Sequence, residues 1–338
     1  MNILLTGASG FLGRELAKRL APKATRLFVL THNKPVDIPG AEPIPGDITE
    51  YGLGIQKCPL IHAVVHAAAL LSFREERRQE LTTVNCDGTW NVIEFMRYRH
   101  IRRLFHISTA YIAGRWKGTW TEEDFDRKQG FHNPYEMSKH WAEQWVREAA
   151  RGSILHEPLM ATIFRPGILI GDSALEAPPA PEGFYKVIIA INRAKQYMEE
   201  KLSLPPLKLT LGVPGDPQGT VNLIPVDIAA EWITRLMEMD CPGTFHITNP
   251  HPPTTRWLQG PVSEALGINL EVGIEGEPNL AERFFIRMAE RYLPYFEGGP
   301  EFDMVNTNRA LGSPSFELTE EFMVKSLRTF FKAQAAVR

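Results

Sequence analysis

The opening stretch MNILLTGASGFLG constrains the fold of this chain more than any other feature. Asn2–Thr6 is a short apolar run typical of a buried strand, and we expect no signal peptide before it. Gly7, Gly10 and Gly13 then permit a tight turn, a close approach of backbone to a pyrophosphate, and close packing of the next helix. Apolar residues at helical spacing in 14–20 place a helix N-terminus here, where unpaired N–H groups favour a phosphate. The stretch predicts a dinucleotide site; a glycine-rich turn in an unrelated α/β protein is the alternative.

Length and composition set the class of protein. A chain of 338 residues is long enough for one large domain and a smaller one, and 43% hydrophobic with 23% charged residues is typical of a globular enzyme. The net charge of −3 gives no reason to expect a nucleic-acid partner. Three widely spaced cysteines form neither a metal motif nor a disulfide framework, which favours the cytoplasm. The sequence contains no apolar run of about 18 residues, so we predict no membrane span.

Short strand patterns alternate with helical patterns through the first half of the chain. They occur at Leu27–Leu30, Ala63–His66, Leu104–Ile107 and Ala161–Phe164. This alternation predicts an α/β fold with a doubly wound parallel sheet, the Rossmann arrangement. We place the dinucleotide-binding domain at 1–171 plus about 221–249, and a smaller, discontinuous substrate domain at about 172–220 plus 250–338.

The composition changes beyond Gly171. Ala177–Pro181 is proline-rich, and Phe184–Lys201 predicts a helix whose apolar stripe forms core or walls a pocket for an apolar chain. That stripe consists of Phe184, Val187, Ile188, Ile191 and Met198. The segments expected to return to the main sheet as strands are Val221–Asp227 and Thr244–Thr248. The two later apolar segments are Arg283–Phe296 and Phe322–Phe331. They either pack on each other, cover the pocket or form a dimer face, and these alternatives stay open.

The end of the second strand normally selects between NAD and NADP, because an acid there binds the ribose 2′-OH. Here the chain reads Thr31, His32, Asn33, Lys34, with no acid before Asp37. Uncharged and basic side chains therefore favour NADPH over NADH, with Arg14 as an additional cation; a solvated Lys34 is the alternative.

Two further strand ends fit a cofactor. Asp47, in Gly46-Asp47-Ile48, either accepts a hydrogen bond from an adenine amino group or is a turn aspartate. The small residues Ala67, Ala68 and Ala69 follow the strand ending at His66 and leave room for the cofactor backbone. His62 and His66 share no helical face, so no metal site is predicted.

A tyrosine and a lysine four residues apart carry the predicted chemistry. Tyr135 and Lys139 lie in a helical pattern, so they present a phenol and an ammonium to one site. The ammonium is expected to lower the pKa of the tyrosine toward neutrality. Ser108 and Thr109 end a strand upstream, where one hydroxyl can hold a carbonyl oxygen. The spacing alone often arises by chance, but after a dinucleotide turn it points to an active site.

In these motifs the chain resembles the extended short-chain dehydrogenase/reductases. The resemblance rests on residues 6–13, Asp47-Ile48, His66 to Ala69, Asn85 with Gly88-Thr89, Ser108 to Tyr111, Tyr135 to Lys139 and Arg165 to Gly167. Within that family the chain is most similar to the thioester-reductase and fatty acyl-CoA reductase (male sterility-like) branch. This likeness rests on residues 108–114, on residues 130–136 running into Ser138-Lys139, and on Ala142-Glu143.

The resemblance implies roles for individual residues. Thr109 would bind the carbonyl, Tyr135 would be the general acid, and Lys139 would tune Tyr135 and anchor the ribose, with Ser108 a neighbour. The implied cofactor contacts are Gly7, Ser9, Gly10, Phe11, Leu12, Gly13, His32, Asn33, Lys34, Asp47, Ile48, Ala67, Ala68, Ala69, Tyr135, Lys139, Pro166 and Ile168. One departure concerns the cofactor, since members of that branch often carry arginine where this chain has His32.

The resemblance implies an NADPH-dependent reductase that transfers a hydride to the carbonyl of an acyl thioester, giving an aldehyde or alcohol, or to a related apolar aldehyde or ketone. The expected partners are a small-molecule or carrier-bound acyl substrate and a second copy of the chain in a homodimer. An NAD-dependent nucleotide-sugar epimerase or dehydratase is the first alternative, and it predicts a polar, arginine-rich C-terminal part. A non-catalytic dinucleotide sensor is the second, and it predicts binding without turnover.

Overall fold

The computed structural model describes residues 1–32, 36–154, 157–175, 183–202, 210–273 and 276–336. Three predictions fall elsewhere: the cofactor contacts Asn33 and Lys34 and the proline-rich segment Ala177–Pro181 lie outside the described residues. The strands are β1 Asn2–Thr6, β2 Arg26–Thr31, β3 Ala41–Pro45, β4 Ala63–His66, β5 Arg103–Ile107, β6 Thr119–Trp120, β7 Met160–Pro166, β8 Ile168–Ile170, β9 Thr210–Val213, β10 Leu223–Pro225, β11 Gly243–Ile247, β12 Asn269–Val272 and β13 Glu301–Phe302. The α-helices are α1 Phe11–Leu20, α2 Arg78–Leu81, α3 Gly88–Tyr98, α4 Pro134–Arg151, α5 Phe184–Leu202, α6 Val226–Glu238, α7 Thr255–Leu266, α8 Leu280–Ala289, α9 Val305–Leu311 and α10 Glu320–Ala336.

A parallel sheet forms the centre of the N-terminal part. Within the described residues its seven strands run in the order β11-β7-β5-β4-β1-β2-β3, and each neighbouring pair is parallel. β1 lies inside the sheet because its apolar residues are covered on both faces. Pro43 and Pro45 are tolerated in β3 because β3 is an edge strand. The predicted doubly wound α/β fold is confirmed.

One of the two segments expected to rejoin the main sheet does so. Thr244–Thr248 overlaps β11, which pairs with β7. The prediction for Val221–Asp227 is wrong, because β10 pairs with β8 in a separate two-stranded ladder. The Ile168 N–H donates to the Asn222 carbonyl at 2.8 Å, which begins the pairing of this segment with β8. The Asn222 side chain accepts from the Asn249 N–H at 2.8 Å and donates to the Asn249 carbonyl at 3.0 Å, which ties the segment to the loop after β11.

Three apolar clusters account for the packing of the described residues. Leu5 belongs to the cluster under α1 and α6, whereas its neighbour Leu4 belongs to the cluster under α3 and α4, as strand alternation requires. The third cluster joins α5, α7, α8 and α10 in the C-terminal part. The predicted stripe of α5 is buried in this third cluster, which confirms the helix and its apolar face. The proposed domain boundaries remain a prediction.

The functional edge of the molecule follows from this topology. Parallel strands end at one edge of the sheet, so the residues after β1, β4, β5 and β7 lie side by side. Residues 292–296, which follow α8, cover this edge. In the described part of the chain we find no helix with the length and apolarity needed to span a membrane.

Candidate active site

The glycine turn leaves no room for side chains at two positions. Gly7 has φ +79°, and a Cβ added there would lie 2.5 Å from the Ala68 backbone nitrogen. A Cβ on Gly13 would lie 2.0 Å from the Gly7 carbonyl oxygen. The Gly10 N–H donates to that same carbonyl at 2.9 Å, and no side chain caps the helix that begins at Phe11. The turn therefore offers backbone N–H groups at a helix N-terminus, an arrangement that fits a pyrophosphate.

The predicted adenine end of the site lies at the ends of β2 and β3. The exposed His32 ring faces Asp47, with Nε2 3.2 Å from Oδ2. The other carboxylate oxygen of Asp47 accepts the Thr49 N–H at 2.9 Å, so Asp47 also shapes the turn, as the alternative prediction held. Ile48 is buried beside Gly88. His32, Asp47 and Ile48 lie outside the cavity that contains Tyr135.

The strand end at His66 is fixed by a buried histidine. His66 bridges two hydroxyls, Thr6 Oγ1 at 2.7 Å and Thr89 Oγ1 at 3.0 Å. Burial, with the charge of Lys139, lowers the pKa of His66 to about 3, so the ring is neutral at physiological pH. Thr6 Oγ1 also accepts the Ala68 N–H at 3.2 Å. These bonds hold the alanine segment close to the glycine turn.

Helix α4 presents Tyr135 and Lys139 because its start is well defined. Asn133 caps the helix by accepting the Glu136 N–H at 3.1 Å, and Pro134 occupies the first turn, where its missing N–H costs nothing. Lys139 is 3% exposed and donates from Nζ to the Ile107 carbonyl at 2.7 Å. Burial lowers the pKa of Lys139 to about 8, against a smaller raising effect of Glu143.

The expected lowering of the Tyr135 pKa is wrong for this structure. Burial raises the pKa of Tyr135 well above its usual range, and the nearby carboxylate of Glu136 raises it further. The Lys139 ammonium, which donates to the Ile107 carbonyl, does not offset these two effects. Tyr135 is therefore a neutral phenol, the form that can donate a proton.

Ser108 and Thr109 have different environments. Ser108 donates from Oγ to Glu143 at 2.6 Å, and Glu143 is fully buried between Arg165 and Arg147. Burial opposes the charge on Glu143, but the two arginines hold the pKa of that carboxyl well below its usual range. Ser108 is thus committed to a buried ionic cluster. Thr109 Oγ1 makes only long contacts, 3.3 Å to the Tyr111 N–H and 3.4 Å to the Pro166 carbonyl.

A single cavity of about 340 Å³ brings nine of the predicted site residues together. Its walls include all three predicted catalytic residues and, besides Tyr135 and Lys139, six of the predicted cofactor contacts. The predicted residues in its lining are Thr109, Tyr135, Lys139, Phe11, Leu12, Ala67, Ala69, Pro166 and Ile168. The rest of the lining is largely apolar and aromatic. From the C-terminal part it comprises Gly183, Phe184, Val187, Val221, Tyr292, Tyr295 and Phe296.

Sequence reasoning missed three positioning residues. Asn85 bonds both backbone groups of Leu70, at 2.7 and 2.9 Å, and donates to Ser138 Oγ at 2.9 Å. Asn85 and Glu143 stood in the motifs of the resemblance, but no role was attached to them. Tyr295 bonds Glu136 and accepts from Asn133 at 2.7 Å, and nothing in the local sequence around Tyr295 indicates these distant partners.

Comparison with solved structures supports the fold. The terminal R domain of the myxalamid PKS-NRPS pathway superposes with a TM-score of 0.77, at 21% identity, over 99% of this chain and 91% of that one. At this level of identity the likeness shows the fold alone.

Sequence relatives extend the comparison. A carboxylic acid reductase of Segniliparus rugosus is 24% identical over 297 residues, covering 74% of this chain and 24% of the relative. Sterol demethylase protein B of Methylococcus capsulatus is 28% identical over 180 residues, covering 51% of this chain and 52% of the relative. This chain therefore spans about a quarter to a half of the length of these relatives.

The family assignment rests on a match that begins after the glycine turn. The model of the NAD-binding male sterility proteins matches residues 37–233, which include Asp47, Thr109, Tyr135 and Lys139. Given this match over more than half of the chain, the protein belongs to the male sterility protein family of NAD-binding domains.

Proposed function

We propose that the protein is an NADPH-dependent reductase of acyl thioesters. The observation that carries the proposal is the cavity in which Thr109, Tyr135 and Lys139 lie together beside the start of α1 and among apolar side chains. A relative named carboxylic acid reductase and a structural neighbour described as a terminal R domain support a reductase. The apolar lining supports an acyl group over a sugar.

The chain's own residues divide the work. The glycine turn and the N-terminus of α1 hold the pyrophosphate, and Ala67 and Ala69 leave space beside it. Lys139, held by the Ile107 carbonyl, lines the same cavity as Phe11 and Leu12 at the start of α1, and its role is to bind a ribose hydroxyl. Thr109 donates to the substrate carbonyl oxygen, since its weak contacts are easily replaced.

A nicotinamide cofactor bound at this site would supply the hydride that reduces the thioester carbonyl carbon. Tyr135 gives its proton to the carbonyl oxygen as negative charge develops there, and Thr109 stabilises the same oxygen. The product is a hemithioacetal, which loses its thiol to leave an aldehyde. The aldehyde fits the same site, so a second reduction to the alcohol uses the same residues.

The preference for NADPH rests on the end of β2. His32 is 59% exposed there, and residues 31–36 of the sequence contain no acid that could bind a ribose 2′-OH; the carboxylate that faces His32, Asp47, belongs to the turn after β3. Arg14 is exposed in the first turn of α1, where it adds positive charge on the same side of the sheet. Both groups favour a 2′-phosphate. The acyl carrier, as CoA or as a carrier protein, and the homodimer remain predictions.

The nucleotide-sugar alternative is less well supported. It predicts a polar, arginine-rich lining, whereas Phe184, Val187, Tyr292 and Phe296 line the cavity from the C-terminal part. No observation on the described residues favours it.

The direct test is a turnover assay. Purified protein is mixed with NADPH or NADH and a panel of acyl-CoA thioesters, acyl-carrier thioesters, apolar aldehydes and nucleotide sugars. We expect loss of NADPH absorbance together with release of a thiol from the thioesters. Sugar isomerisation with tightly held NAD and no net consumption of either nucleotide would overturn the proposal.

A further inference from the structure

A second cavity lies behind the catalytic one. It also has a volume of about 340 Å³. Its lining is more polar, because it includes His132, Asn222, Asn249 and Glu301 beside prolines and aromatic rings. Among the residues that the structure describes, two line both cavities, Tyr111 and Tyr295. These two rings therefore form the partition between the two spaces.

The partition is built from two distant parts of the chain. Tyr111 belongs to the short 3₁₀ helix Ala110–Ala113, directly after Thr109, so it stands next to the proposed carbonyl-binding hydroxyl. Tyr295 belongs to the 3₁₀ helix Leu293–Phe296 of the C-terminal part. The two rings meet edge to face, with centroids 5.1 Å apart and planes at 70°. This geometry is a favourable aromatic contact.

Tyr295 is held firmly in this position. Its hydroxyl accepts from Asn133 Nδ2 at 2.7 Å and donates to Glu136 Oε1. Its ring stacks on Phe73 with centroids 5.4 Å apart. Asn133 and Glu136 belong to the start of α4, the helix that carries Tyr135, so the partition is fixed relative to the catalytic phenol.

We propose that Tyr295 is the specificity-determining residue of the substrate cavity, because its ring closes that cavity and limits the length of the acyl group. The inference rests on the proposed function. A chain extending from a carbonyl at Thr109 meets the Tyr111–Tyr295 partition, and removal of the Tyr295 ring joins the second cavity to the first. Longer apolar chains then gain a path past the partition.

Two variants separate the role of the Tyr295 ring from that of its hydroxyl, and a third variant is the control. Tyr295→Leu removes the ring but keeps an apolar side chain, and Tyr295→Phe keeps the ring but loses the bonds to Asn133 and Glu136. Tyr197→Leu is the matched control, because Tyr197 stacks on Phe284 in the same C-terminal part but lines neither cavity. Circular dichroism and thermal unfolding check that each variant is folded.

The readout is a chain-length profile measured in two ways. Primary fatty amides of increasing length, which cannot be reduced, are titrated by calorimetry in the presence of NADPH, and acyl-CoA thioesters of the same lengths are assayed for kcat and KM. We expect wild type, Tyr295→Phe and Tyr197→Leu to share one length limit. Tyr295→Leu should bind longer chains, with affinity rising up to about fourfold for each added methylene.

The outcomes distinguish this inference from the proposed function. If folded Tyr295→Leu has the wild-type length limit, or Tyr295→Phe shifts the limit as much as Tyr295→Leu, the inference is wrong. If wild type binds no fatty amide and reduces no thioester, the proposed function fails first and the inference falls with it.

Discussion

The two walls of the catalytic cavity are stabilised in different ways. The strand-end wall consists of residues 107–109 with Tyr135 and Lys139. Short hydrogen bonds hold its residues in place, such as the 2.7 Å bond from Lys139 Nζ to the Ile107 carbonyl. The C-terminal wall consists of Phe184, Val187, Tyr292, Tyr295 and Phe296, and all of these except Tyr295 belong to the apolar cluster of the C-terminal part. Tyr295 is the exception, since hydrogen bonds tie it to the start of α4. Directional bonds fix the orientation of a reacting group, whereas apolar surfaces only define a volume. The first wall therefore suits chemistry and the second suits substrate selection.

Buried charge strengthens this contrast. Behind the strand-end wall, Glu143 binds Ser108 and Arg165 in a cluster with no exposed side-chain surface on the two charged partners. Behind the C-terminal wall, Tyr185 lies against Phe330 with ring centroids 4.7 Å apart. Loss of one partner from a buried ion pair is costly because it leaves an uncompensated charge. The strand-end wall should therefore tolerate far fewer substitutions.

The largest effect is expected at Tyr135. Tyr135→Phe removes the proton donor while keeping the ring, so kcat should fall by about 10²–10⁴-fold. Cofactor affinity should stay within about twofold, since the phosphate site on the glycine turn is untouched. Steady-state kinetics and a fluorescence titration with NADPH measure the two quantities. Full activity in Tyr135→Phe would mean that Tyr135 is not the proton donor and that the strand-end wall does not carry the chemistry.

A smaller effect is expected from pH. Burial lowers the pKa of Lys139 to about 8, so the ammonium is present below pH 8 and is lost as the pH rises through that value. Activity should therefore fall by about tenfold for each pH unit well above 8. Tyr135 does not titrate in this range, because its pKa is raised.

The control for the pH profile is Lys139→Arg, whose side chain stays charged to high pH. Any residual activity of this variant should lack the alkaline decline. A wild-type profile of kcat that stays flat to about pH 10 would contradict the role of the ammonium.

The smallest effect is expected on the C-terminal wall. Val187 lines the cavity, so Val187→Ala removes apolar contact with the substrate and should raise KM for apolar thioesters by about fivefold with kcat unchanged. Val324→Ala is the matched control, because Val324 is equally buried, at 4% exposure, but lies on α10 away from the cavity. If Val187→Ala lowered kcat by as much as it raised KM, the two walls would not have separate roles.

Local patterns predicted that Thr109, Tyr135 and Lys139 share one site, and all three line one cavity, whereas their catalytic roles stay predictions. The spacing of Gly7 and Gly13 follows from the shape of a strand-turn-helix unit, and the two glycines are needed because a Cβ at either would overlap backbone. The four-residue spacing of Tyr135 and Lys139 is likewise a property of one helix. Contacts within one helix or strand can be derived from the number of residues per repeat of that element.

Contacts between distant elements could not be predicted in this way. Tyr295 binds Glu136 across 159 positions, and no period connects the two. The pairing of β10 with β8 joins Leu223 to Ile168 across 55 positions, and the raised pKa of Tyr135 depends on burial by the assembled cavity. Each requires the tertiary arrangement, which short-range patterns do not contain.

The bond from Tyr295 to Glu136 matters for anyone who recombines reductases. Burial raises the pKa of Glu136 to about 7 even with the Tyr295 hydroxyl and the His132 N–H donating to it, so loss of the Tyr295 donor should raise that pKa further. A chimera that takes its C-terminal portion from another protein, without a phenol at this position, deprives Glu136 of a partner at the very start of the catalytic helix. Engineering that exchanges specificity between such proteins should therefore transfer Tyr295 together with its partners Asn133 and Glu136.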